Sequence, residues 1–101
     1  MDESEGYAKA RSALAIAGFV AVTIPLDSKG RVAGEPSLIV EGIPDEVHPS
    51  LHEAVDSCMR KHNPKRDDED ALKETTRRAV RRAAANTWGK KPVTRVAVVW
   101  V

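Results

Sequence analysis

The sequence predicts an α/β (α+β) two-layer sandwich in the order β-β-α-α-β, a three-stranded sheet with two helices on one face. Three observations predict it. Apolar, β-branched runs lie at residues 19–26, 38–43 and 93–101. Two stretches between the second and third run repeat apolar residues at helical spacing. The chain has 101 residues, enough for one small core and too few for two.

Residues 1–10 are small and mostly acidic up to Gly6, and are expected to be a flexible N-terminal segment. The α/β domain is expected to span 11–101. Its lead-in, 7–17, is rich in Ala and Leu and reads as a short helix or a strand. FVAVTIPL at 19–26 is apolar on both faces, which suits a central strand buried on two sides. Pro25 donates no ladder hydrogen bond, so it belongs near a strand end or an edge. Asp27-Ser28-Lys29-Gly30 is a turn signal. LIVEGI at 38–43 is a second strand, forming a hairpin with the first.

His48-Pro49-Ser50 opens a helix, with proline in the first turn, where its missing N–H costs nothing. Leu51, Ala54, Val55, Cys58 and Met59 form its apolar stripe, and Asn63-Pro64 stops it. Asp67 to Asp70 place four acids where they cap the next helix and meet its positive dipole end. Leu72, Thr76, Ala79, Val80, Ala83 and Thr87 give that helix its inward face, with Trp88 as a core anchor. Gly89 ends it and Pro92 prevents continuation. VTRVAVVWV at 93–101 is the last strand. The helical pair goes out and back, so this strand re-enters where the second one finished. It then lies parallel to the first strand or antiparallel to the second. The expected order is 2-1-3, with one sheet face left partly uncovered for a partner.

Composition narrows the function. Charged residues at 31% and hydrophobic residues at 42% argue for a folded globular chain. No apolar run approaches the ~20 residues of a membrane span. No secretory signal is read. A single cysteine, Cys58, excludes an internal disulfide and fits a reducing cytoplasm. The net charge of +1 hides an asymmetry: residues 1–50 carry −4 and residues 51–101 carry +5.

His48, His52, Cys58 and His62 are spaced in two i, i+4 pairs. His52 and Cys58 stand about 9 Å apart along a helix axis, too far to share one ion, and His48 is read as outside the helix. They are taken as helix-face residues rather than metal ligands. Cys58 lies on the apolar stripe and is read as a small buried hydrophobe. A zinc enzyme built on the three histidines would instead require stoichiometric metal. No phosphate-binding glycine loop, nucleophile elbow or H-E-x-x-H motif is present. The chain by itself is expected to be non-catalytic and to carry no cofactor.

The basic second helix is the most informative feature. Arg77, Arg78, Arg81 and Arg82 form an arginine stripe, extended by Lys73 before it and by Lys90 and Lys91 after it. Guanidinium forks match phosphate oxygens, so these seven residues are the candidate contacts for nucleic acid or a partner. A solvated helix face complementing the dipole is the competing reading. Aromatics are too few to indicate base stacking.

Taken in order, RSALAIAGFVAVTIPLDSKG (11–30), PSLIVEGIP (36–44), RRAVRRAAANTWGKKP (77–92) and VTRVAVVWV resemble the C-terminal domain of bacterial ribonuclease J. That family has an RR-x-L-A-x-A-G lead-in and a W-G-K-[KR]-P turn. Here Arg11-Ser12 replaces the arginine pair, and Trp88-Gly89-Lys90-Lys91-Pro92 matches the turn. The resemblance implies a parent metallo-β-lactamase/β-CASP nuclease, a zinc-dependent 5′-exo- and endoribonuclease that degrades and matures RNA. Its two zinc ions would sit in a catalytic body outside this sequence. The chain would be a non-catalytic accessory domain supporting oligomerisation and RNA contact. A stand-alone nucleic-acid-binding or protein-interaction module is the alternative.

Overall fold

A computed structural model of the chain describes residues 18–101. The expectations for the segment 1–10 and the lead-in 7–17 lie outside the described residues. Three strands, β1 (Phe19–Leu26), β2 (Ser37–Glu41) and β3 (Val93–Trp100), form one sheet in the order β2-β1-β3. Two helices, α1 (His48–Lys61) and α2 (Glu69–Trp88), lie between β2 and β3 in sequence. The predicted architecture and strand order are those observed.

β1 runs antiparallel to β2, with Phe19 opposite Glu41, and parallel to β3, with Phe19 opposite Val93. The end of β2 and the start of β3 therefore meet at the same end of β1, as an out-and-back helical pair requires. Pro25 occupies the next-to-last position of β1, where a missing donor disturbs the ladder least. The turn after β1 is closed by Asp27, whose carboxylate accepts from the backbone N–H groups of Lys29 and Arg31 at 2.8 and 3.0 Å.

Gly18 fixes the approach to β1. Its φ is +77°, and a Cβ there would lie 2.5 Å from Ile43 Cγ1, so no other residue fits without displacement. Its carbonyl accepts from Val93 N–H at 3.1 Å, joining the start of β3 to the base of β1.

The core lies between sheet and helices. Val20, Val22, Ile24 and Leu26 from β1 meet Leu51 and Val55 from α1 and Leu72, Val80 and Ala84 from α2 in one cluster. The reading of β1 as buried on both faces is corrected here. Burial alternates along it, and Phe19, Ala21, Thr23 and Pro25 on the other side are only half-buried by the described residues. Ile39 of β2 and Val99 of β3 share that open face and are 56% and 47% exposed. Two boundaries also shift. β2 ends at Glu41, so Ile43 leaves the strand and packs into the core beside Val47. His48 is the first residue of α1, not outside it.

Candidate nucleic-acid interface

The arginine-bearing helix is locally well specified. Asp68 caps α2, its side chain accepting from Ala71 N–H at 2.7 Å, while Glu69 and Asp70 face the positive end of the dipole. Gly89 closes it in the left-handed conformation at φ +81°, with its N–H on the Ala85 carbonyl at 2.9 Å. Leu72, Thr76, Val80 and Ala84 are its buried residues. Thr87, expected to face inward, is exposed instead, with its hydroxyl donating to the Ala83 carbonyl at 2.7 Å. Near the C-terminal end a threonine satisfies itself on the preceding turn without entering the core.

The single arginine stripe is corrected to two rows. Residues i and i+1 on a helix point about 100° apart, so the pairs 77/78 and 81/82 each span two directions. Arg78 and Arg82 are exposed, whereas Arg77 and Arg81 are half-buried on the flank.

Ion pairing divides the seven candidates further. Glu74 holds Arg77 through two hydrogen bonds, at 3.0 Å to Nε and 2.6 Å to Nη2, and accepts from Arg78 Nε at 2.9 Å. These bonds, Arg77's first, draw the Glu74 carboxyl down to about 2 and raise Arg77. Lys73 lies 3.8 Å from Glu69. Lys90 sits over the Trp88 ring, 4.9 Å from its centroid. Trp88 itself packs against the core, as its anchor role requires. Arg81, Arg82 and Lys91 form no ion pair among the described residues, and the Arg81 Nε–H is buried without an acceptor.

Two depressions flank the exposed row. One is a groove of about 680 Å³ between α1 and α2, with Lys61, Arg66, Arg78 and Arg82 on its walls. The other lies across α2 and is lined by Arg78, Arg81, Arg82, Ala85, Asn86 and Lys91. Lys61 and Arg66 were not legible as candidates, because their place depends on how the helices pair. The one available signal was the antiparallel αα-hairpin, which sets the end of α1 beside the start of α2. Arg66 is tied to Asp67 at 3.0 Å, and that bond, with the Asn63 N–H, holds the Asp67 carboxyl below its usual range.

The histidines and the cysteine serve separate elements. His48 Nε2 donates to the Ile43 carbonyl at 3.0 Å. His62 Nε2 donates to the Gly30 carbonyl at 2.9 Å, tying the interhelical loop to the turn after β1. His52 is exposed. Cys58 is buried, and desolvation pushes its thiol upward, away from the reactive thiolate. Among the described residues, no three His, Cys, Asp or Glu side chains gather as metal ligands, and no helix is long and apolar enough to cross a membrane.

The arrangement can bind anions. On the exposed row Arg78 gives only its Nε to Glu74, and among the described residues no carboxylate is paired with Arg82. Such groups bind phosphate oxygens bidentately.

Comparison with known proteins gives two findings. The family model of the ribonuclease J C-terminal domain matches residues 7–101. A ribonuclease J of Sinorhizobium meliloti (strain Sm2011 / Rm2011 / 2011) is 36% identical over 101 aligned residues, covering 90% of this chain. The chain spans only 17% of that relative's length.

Proposed function

The chain belongs to the ribonuclease J C-terminal domain family, and on that premise we propose that it is a non-catalytic accessory domain of an RNA-degrading and RNA-processing nuclease. The observation that carries this reading is the match of the ribonuclease J C-terminal domain model along residues 7–101, beside a ribonuclease J of whose length the chain spans 17%. A catalytic body, with its two zinc ions, then belongs to the remaining length of such a protein. The domain's own part is contact and assembly in the cytoplasm. Its open sheet face, with Ile39 and Val99 exposed, supports pairing with a second copy. The exposed arginines of α2 support contact with RNA phosphates.

The test is RNA affinity against salt for the wild type and for a variant with Arg77, Arg78, Arg81 and Arg82 all changed to Ala. Phosphate contact predicts weaker binding and a flatter dependence of log K on log salt in the variant. Equal affinity and equal slope refute RNA contact through this helix.

A further inference from the structure

We propose that an RNA phosphodiester backbone crosses α2 obliquely, from Lys61 in the groove between the helices, over Arg78 and Arg82, to Lys91. This rests on the RNA-contact reading above and specifies its path. The groove and the depression across α2 share Arg78, Arg82 and Asn86, so they form one continuous track.

Charge is distributed along this track in a telling way. Lys61, Arg81, Arg82 and Lys91 all line it, and none is in an ion pair among the described residues. Lys73 and Arg77 lie off it, and both are paired with carboxylates of their own helix. Arg78, also on the track, gives its Nε to Glu74 and keeps its two Nη groups for a ligand, and Asp67 is the one acid on the lining among the described residues.

Small side chains make up much of the groove's lining: Ala54, Ser57, Ala79 and Ala83 stand beside Cys58 and Leu72. An acidic protein segment draws much of its affinity from aromatic or large aliphatic anchors, and among the described residues Leu72 is the one large aliphatic on this lining. Among the described residues no Phe, Tyr or Trp lines either depression, and the ring of His62, which does, is only 3% exposed, so bases find no stacking surface. What remains is phosphate and sugar contact, which is indifferent to sequence.

The experiment is anisotropy titration of a fluorescent oligouridylate with the chain across a salt series. Lys61→Ala and Lys91→Ala, at the two ends of the track, should each weaken binding and flatten the salt slope by about 1. Lys29→Ala, an exposed lysine that lines neither depression, should match the wild type. Loss of binding in an Arg78→Ala/Arg82→Ala variant, with Lys61→Ala and Lys91→Ala unchanged, would overturn the path but leave RNA contact standing. No binding by the wild type would overturn both. Displacement of the oligonucleotide by polyglutamate at equal charge concentration would reveal a general polyanion surface and overturn the assignment to RNA. Both lysines are exposed, and circular dichroism of each variant confirms that the fold is kept.

Discussion

Glu74 grips Arg77 at both ends of its guanidinium edge, Oε2 on Nε at 3.0 Å and Oε1 on Nη2 at 2.6 Å. The same Oε1 also takes Arg78 Nε at 2.9 Å. One carboxylate thus restrains two of the four arginines that the sequence offers to an anion. Removing its charge should therefore strengthen binding. Glu74→Gln is expected to raise RNA affinity and to steepen the salt dependence by up to about 1, for the released Arg78 on the track. Titrations of both proteins at several salt concentrations check this. Weaker binding by the variant would show that Glu74 orients the arginines rather than competing for them.

The same residue gives a pH signature. Its carboxyl titrates at about 2 in the folded chain, against 4.5 for the free group. The folded value is depressed, so the stabilisation is complete above 4.5 and is lost as pH falls through that interval. The difference in melting temperature between wild type and Glu74→Gln should be constant near neutrality and shrink below pH 4.5. The group is exposed, so high salt should shrink it as well. A difference that holds steady down to the lower value would contradict the ion-pair origin.

Two glycines of similar φ, Gly18 at +77° and Gly89 at +81°, should respond unequally to alanine. Gly89→Ala meets only the left-handed backbone penalty, about 1–2 kcal/mol, because nothing among the described residues lies within 4 Å of the new Cβ. Gly18→Ala meets that penalty and drives a methyl to 2.5 Å from Ile43 Cγ1, adding about 1–3 kcal/mol of overpacking. Chemical denaturation of both variants checks the ranking. Equal losses would mean that the Ile43 contact relaxes freely.

These particulars show which features were readable in advance. Strand order was legible because FVAVTIPL is too apolar for an edge and the αα-hairpin returns the chain to the same end. Which face of β1 would be covered was signalled weakly. Val20, Val22, Ile24 and Leu26 are the larger aliphatics, while Ala21, Thr23 and Pro25 alternate with them. Hydrophobicity alone scores the two sets too much alike. On α2, the run Ala83-Ala84-Ala85 offers three residues of the same size, so only packing distinguishes the buried Ala84 from its neighbours. Arginine identity was plain, but pairing was not. From Ala71 onward the sequence has eight basic residues and one acid, Glu74, and only the structure shows it bonded to two arginines. Lys61 and Arg66 join the candidate surface through tertiary packing, which periodicity within one helix does not encode.

The two-faced account, an apolar sheet for a second copy and a cationic helix for RNA, is tested most directly by mass in solution. Light scattering of the purified chain, alone and with oligouridylate, reads both contacts at once. The expected result is twice the chain's 11.0 kDa without RNA, a further increase with it, and reversion to the single-chain mass on Ile39→Asp/Val99→Asp with RNA binding kept. A strict 11.0 kDa particle at high concentration, unchanged by RNA, would contradict it.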